Sequence, residues 1–205
     1  YISNPTEVGT IYSKAELTAL SETCHKYGLY LFLDGARLGY GLAAPDNDLT
    51  LPEIAALCDV FYIGGTKVGA LFGEAVVIKN PELAQDFRYL IKQNGGMLAK
   101  GRLLGLQFDA LFTDGLYQEI SAHAIAMAEK LREAFTAKGY NYLAPNRTNQ
   151  IFVIVPDAHL AKISEQFEYS YDQRIDATHS CVRFCTSWAT KEENVDALIR
   201  CVEKL

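Results

Sequence analysis

The chain has 205 residues, of which 49% are hydrophobic and 21% are charged, so we expect packed cores rather than disorder. Its net charge of −6 and the lack of a basic block disfavour a nucleic-acid partner and an anionic membrane surface. No apolar run approaches the roughly 20 residues that a membrane-spanning helix needs, so no membrane partner is expected.

The cysteine content indicates a reducing compartment. The cysteines are five in number, which is odd, and they lie in apolar helix-like or strand-like stretches. This pattern predicts buried, reduced thiols and a cytoplasmic protein. Neither their spacing nor a histidine pairing suggests a metal ion, so no metal site is predicted. The five are Cys24, Cys58, Cys181, Cys185 and Cys201.

The first part of the chain alternates helices and strands. Ser13 is a candidate N-cap for the first helix, and Glu16 stands where a capping box needs an acid. The apolar run LYLFLD predicts a strand that is covered on both faces. The alternating order of strand, helix and strand indicates a βαβ unit and an α/β fold with a mostly parallel sheet. The predicted strands cover residues 29–34, 59–65 and 74–79.

Beyond residue 80 the pattern changes to helices followed by an α+β tail. Helices are predicted over residues 81–93, 98–113 and 115–138, and the tail has predicted strands at 150–156, 167–171 and 181–187. A helix is predicted at 157–166, and another begins at about Lys191. We therefore predict two domains, residues 1–114 and residues 115–205, of which the second is small and α+β.

Two charged residues follow neighbouring predicted strands. Asp34 ends the first strand, and Lys67 lies just past the second, in the sequence GGTK. Ligands of open α/β sheets bind outside the carboxyl ends of parallel strands, so both side chains are expected at one crevice. Pyridoxal phosphate needs a lysine for its Schiff base and a carboxylate beside its pyridine nitrogen. On spacing alone, a turn acid and a solvated lysine remain alternatives.

Longer segments of the chain resemble one enzyme family. Four of them, in chain order, are SNPTEVGTIYSKAEL, LFLDGARLGYGL, DVFYIGGTKVGALFGEAVVI and KQNGGMLAKGRLLGLQF, and a fifth, CVRFCTSW, is similar to a late arginine-bearing strand. They resemble the threonine aldolase / β-eliminating lyase family of fold-type-I enzymes that depend on pyridoxal phosphate. The motif D-G-A-R-L is the most specific. The resemblance implies that residues 1–114 are the C-terminal half of a cofactor-binding large domain.

The resemblance also implies roles for five residues. Asp34 would contact the pyridine nitrogen, and Lys67 would carry the cofactor. Arg37 and Arg183 would hold the carboxylate of the substrate, for which a guanidinium fork is the expected chemistry. Thr66 stands where family members often have serine or histidine, and its hydroxyl could contact the phosphate.

Two further features follow from the same resemblance. The family's glycine-rich segment commonly ends in a basic residue that reaches a neighbouring subunit's phosphate, and Lys100 and Arg102 are both candidates, with a solvated helix charge as the alternative. Family chains also carry a phosphate-binding glycine loop and a stacked aromatic ring ahead of the segment that matches residue 1. We therefore expect a C-terminal part of a larger enzyme, and a homo-oligomer, either a dimer or a tetramer, that covers exposed edges.

The implied activity is that of a lyase. It would cleave the Cα–Cβ bond of a β-hydroxy-α-amino acid such as threonine, giving glycine and an aldehyde. β-Elimination, racemisation and transamination share the same carboxylate recognition and stay open. So does a catalytically silent fragment with a role in subunit association. Water or an upstream histidine are the candidates for the general base, and Trp188 is expected in the core.

Overall fold

The computed structural model describes residues 1–205, and its first layer is a four-stranded sheet in the order β1-β2-β3-β4. β1, β2 and β3 are parallel, whereas β4 pairs antiparallel to β3. This sheet positions the carboxyl ends of β2 and β3 side by side. Its strands and helices are β1 (Ile2–Ser3), α1 (Lys14–Lys26), β2 (Phe32–Asp34), α2 (Leu38–Ala43), α3 (Leu51–Leu57), β3 (Val60–Gly64) and β4 (Glu74–Ile78).

A second sheet, which is antiparallel throughout, follows a group of three helices. Its strand order is β5-β6-β8-β7. The helices are α4 (Phe87–Gln93), α5 (Arg102–Phe112) and α6 (Leu116–Ala137). The remaining elements are β5 (Asn141–Tyr142), β6 (Gln150–Pro156), α7 (Asp157–Ile163), β7 (Ser170–Arg174), β8 (His179–Cys185) and α8 (Glu192–Glu203). None of these helices has the length and apolar character of a membrane span.

The beginning of α1 confirms the predicted capping box. The Ser13 hydroxyl accepts a hydrogen bond from the Glu16 amide at 3.3 Å, and Glu16 Oε2 accepts one from the Ser13 amide at 2.8 Å. The predicted strand at 29–34 is wrong in its first three residues. The amide of Leu29 donates to the carbonyl of Cys24 at 2.8 Å and so closes the end of α1 instead of pairing with a strand. The ladder therefore begins only at Phe32.

Several other predicted boundaries differ from the structure. The helix predicted at 81–93 begins only at Phe87, because Asp86 has a left-handed backbone with a φ of 57° and residues 81–86 form turns. The helix predicted at 98–113 begins at Arg102. The strand predicted at 167–171 lies later, at Ser170–Arg174. The sequence pattern did not predict the six-residue helix α2.

Two buried apolar clusters stabilise the two sheets, and α6 contributes to both. Tyr117 and Ile125 belong to the first cluster, whereas Met127 and Phe135 belong to the second. The clusters therefore meet within one helix, between residues 125 and 127. The domain division at residues 114 and 115 stays a prediction.

Candidate active site

The predicted acid and lysine follow adjacent parallel strands. Asp34 is the last residue of β2, and Lys67 lies three residues beyond the end of β3 at Gly64. The two strand ends approach so closely that the amide of Gly64 donates to the carbonyl of Gly35 at 2.9 Å. A Cβ atom on Gly35 would lie 1.9 Å from the carbonyl oxygen of Tyr62. Glycine at this position is therefore a steric requirement.

The Asp34 carboxylate is held by three hydrogen bonds. Its Oδ1 accepts from the Ala36 amide at 3.0 Å and from the Tyr62 hydroxyl, and its Oδ2 accepts from the Tyr1 hydroxyl. Burial alone would raise the pKa of Asp34, but these bonds and the positive charge of Lys67 outweigh it, and the net pKa is lowered. Asp34 is therefore ionised at neutral pH, and Lys67 lies close enough to stabilise that charge.

Sequence reasoning missed Tyr62, although it lies in the quoted motif YIGGTK. In the parallel register Leu33 is opposite Phe61, so Tyr62 on β3 is the neighbour of Asp34 on β2. Burial, together with the Asp34 carboxylate, raises the pKa of Tyr62, so its hydroxyl remains a proton donor. Pairing the two predicted strands in parallel would have identified this contact.

Lys67, Thr66 and Arg37 line a common cleft of about 320 Å³. Its opposite wall includes Cys185, the last residue of β8, and Trp188, in the loop that follows β8. Trp188 was predicted in the core, but it is 46% exposed because it lies in the loop beyond the end of β8. The prediction that the cysteines are buried is likewise wrong for Cys185, which is exposed.

Tyr40 fixes the backbone that carries Lys67. Its hydroxyl donates to the Lys67 carbonyl, and its ring is almost fully buried on α2. Burial raises the pKa of Tyr40 to about 12, so the phenol stays protonated. The Lys67 side chain itself is exposed. An anchored backbone with a free amine suits a lysine that must reach a bound molecule.

Arg183 is not among the residues that line this cleft, but it is linked to Arg37 through a third side chain. Glu7 Oε1 lies 3.4 Å from Arg183 Nη1, and Glu7 Oε2 lies 3.7 Å from Arg37 Nη1. Arg183 Nη1 also donates to Gln150 Oε1 at 3.3 Å. The structure thus places the two predicted arginines around one carboxylate, and sequence reasoning missed both Glu7 and Gln150.

The three residues predicted to contact the cofactor phosphate are all exposed and make few contacts. Thr66 is exposed, and its hydroxyl makes only a long hydrogen bond, 3.4 Å, to the carbonyl of Gly73. Lys100 and Arg102 are exposed around the beginning of α5. The choice between these two bases stays open.

Comparisons with known proteins give a consistent result. The Beta-eliminating lyase family model matches residues 1–158. A low specificity L-threonine aldolase from a Pseudomonas species is 33% identical over 201 residues, which are 96% of this chain and 56% of that protein. The solved structure of Leishmania major threonine aldolase superimposes with a TM-score of 0.97 at 45% identity and covers all of this chain. The chain covers 60% of that structure.

A more distant neighbour supports the architecture alone. Thermus thermophilus aspartate aminotransferase has a TM-score of 0.70 at 17% identity and is matched over 56% of its own length. The predicted fold class, α/β with a mostly parallel sheet of the fold-type-I kind, is thereby confirmed. The chain spans a little over half of the length of these relatives. With residues 1–158 matched to its model, the chain belongs to the β-eliminating lyase family.

Proposed function

We propose that the protein containing this chain is a pyridoxal-phosphate-dependent lyase that cleaves the Cα–Cβ bond of a β-hydroxy-α-amino acid, giving glycine and an aldehyde. The observation that carries this proposal is the position of Asp34 and Lys67 at and beyond the carboxyl ends of two adjacent parallel strands, β2 and β3. Two relatives of this chain are named threonine aldolases, which supports the substrate class.

The residues at these strand ends fit pyridoxal phosphate, although Asp34 itself does not line the cleft that contains Lys67. Asp34 is ionised and oriented by Tyr62 and Ala36 through Oδ1, and its Oδ2, which here accepts from the Tyr1 hydroxyl, could instead pair with a protonated pyridine nitrogen. Lys67 offers an exposed amine on an anchored backbone, and the Thr66 hydroxyl could contact the phosphate. When bound, the cofactor supplies an electron sink for the bond that breaks.

Arg37 and Arg183 would bind and orient the carboxylate of the amino acid. The carboxylate of Glu7 already lies between them, which supports the pair as a carboxylate-binding arrangement. Arg183 also lies over the ring of Phe152, with 5.8 Å between its Cζ atom and the ring centroid, so its planar fork is supported from below. Fixing the carboxylate fixes the direction of the Cα–Cβ bond.

We also propose that the protein is a cytoplasmic homo-oligomer, a dimer or a tetramer. All five cysteines are free thiols, which suits a reducing compartment. Many large apolar side chains between residues 71 and 116 are exposed, and such a surface favours association. Examples are Leu71, Phe72, Tyr89, Leu90, Leu103 and Leu106.

The test uses the full-length protein with threonine and pyridoxal phosphate. We expect glycine and acetaldehyde in equal amounts, and borohydride reduction should fix the cofactor to Lys67 in the peptide map. Lys67→Ala should lose both the release of glycine and the borohydride-fixed cofactor. Lys26→Ala, which removes an exposed lysine at the end of α1, should keep both. Wild-type protein that releases no glycine, or cofactor fixed to a different lysine, would contradict the proposal.

A further inference from the structure

The carboxylate of Glu7 bridges the two arginines that are proposed to bind substrate. The two contacts, 3.4 Å to Arg183 and 3.7 Å to Arg37, are long for charge-assisted hydrogen bonds. The Glu7 side chain is 75% exposed, whereas the side chains of Arg37 and Arg183 are only 17% and 29% exposed. An exposed anion thus lies against two more deeply buried cations.

The backbone of Glu7, in contrast, is firmly held. Three successive carbonyls accept hydrogen bonds from side chains at and just before the beginning of β6: Glu7 from Gln150 at 2.9 Å, Val8 from Asn146 at 2.8 Å, and Gly9 from Thr148 at 2.9 Å. Gln150 is fully buried, and its amide oxygen accepts the hydrogen bond from Arg183. The loop is therefore fixed, and only the side chain of Glu7 is free to rotate away.

We propose that Glu7 is an internal competitor for the substrate carboxylate and that it sets the affinity of the arginine pair for amino acids. The inference rests on the proposed function. An incoming carboxylate would bind the same two guanidinium groups that Glu7 contacts, so the two anions compete for them. Glu7 also lowers the combined charge of the pair from +2 to +1, which weakens its attraction for every anion.

The decisive variant is Glu7→Gln, which keeps the size of the side chain and the backbone hydrogen bond while removing the charge. Because exposed ion pairs contribute modestly, we expect the Kd for glycine to fall about three- to tenfold. Glu7→Asp, whose side chain is one methylene shorter, should have a glycine Kd between those of Glu7→Gln and the wild type. Glu193→Gln is the matched control, since Glu193 is 74% exposed and pairs with Lys191 at 3.7 Å. Its glycine affinity should equal that of the wild type.

Two readouts are needed. Glycine is titrated into the full-length holoenzyme, with the absorbance of the bound cofactor as the signal, and into the cofactor-free protein by calorimetry. The same tightening in both would place the effect at the arginines rather than at the cofactor. With threonine as substrate, kcat/KM should rise through a lower KM.

The outcomes separate this inference from the proposed function. An unchanged or weaker glycine affinity in Glu7→Gln, in a wild type that cleaves threonine, overturns the competitor role alone. A wild type that binds glycine but does not cleave threonine overturns the proposed lyase activity, and the Glu7→Gln comparison still decides the competitor role. A wild type that binds no glycine overturns both, because the arginines then hold no substrate carboxylate.

Discussion

Replacing Tyr62 by phenylalanine tests the ionised state of Asp34 directly. The substitution removes the hydroxyl that donates to Asp34 Oδ1 and leaves the ring in place. A hydrogen bond to a charged group contributes about 1.5–3 kcal/mol. The donors Tyr1 and Ala36 remain, and Tyr62 and Asp34 are both partly exposed, so we reduce the expected loss to about 1 kcal/mol.

The loss should depend on pH in a defined direction. The pKa of Asp34 is lower in the folded protein than the ordinary value of about 3.9. Its ionisation therefore stabilises the fold above about pH 4, and this contribution is lost as the pH falls through the folded-state pKa. The difference between Tyr62→Phe and wild type should be full at pH 7 and should shrink as the pH falls below about 4.

Denaturant unfolding of the cofactor-free, full-length protein measures this difference, provided that the m-values agree. Tyr142→Phe is the matched control, because Tyr142 is also half-buried but donates to a neutral carbonyl, that of Arg132, at 2.7 Å. Its destabilisation should not change between pH 7 and pH 3. If the Tyr62→Phe difference is as large at pH 3 as at pH 7, then Tyr62 does not stabilise an ionised carboxylate, and the electrostatic description of the site is wrong.

Three further predictions test the arginine pair, the close approach of the strand ends and the oligomeric state. Arg183→Lys should weaken glycine binding about tenfold, because lysine lacks the two parallel N–H donors of the guanidinium group, while the cofactor should remain attached to Lys67. A glycine affinity equal to that of the wild type would show that Arg183 does not bind the substrate. Gly35→Ala should destabilise the fold by about 3 kcal/mol in denaturant unfolding, whereas Gly105→Ala, with no atom within 4 Å of the new Cβ, should not destabilise it. Light scattering of the full-length protein should give at least the mass of a dimer, and a stable monomer would contradict the proposed assembly.

The sequence predicted the parts of the site that depend on local pattern. Asp34, which ends one apolar run, and Lys67, which follows the next, were singled out by their position at the carboxyl edge of a parallel sheet. On spacing alone a turn acid and a solvated lysine stayed open, and the family resemblance was needed to assign the two residues to one site. The capping box of α1 is equally local, since it needs only Ser13 and Glu16 three residues apart.

What the sequence did not predict depends on long-range contacts. Glu7 and Arg183 are 176 residues apart, and nothing in either local pattern indicates that they meet. Tyr40 was missed because its role, holding the Lys67 carbonyl, depends on a helix of only six residues. The late beginning of β2 was missed for a related reason, because the apolar character of Leu29 and Tyr30 is that of a buried strand although both side chains are exposed.

The division of roles between the two sheets has a mechanical consequence. Asp34 and Lys67 both belong to the first sheet and its loops, whereas Arg183 belongs to the second. The two are joined by α6, whose side chains enter both apolar clusters, and by the hydrogen bonds that hold residues 7–9. A change in the relative position of the sheets therefore moves Arg183 relative to Arg37, the acid and the lysine, which all belong to the first sheet and its loops. Substrate recognition can thus vary through the packing around α6, while the proposed cofactor-binding residues stay fixed relative to each other.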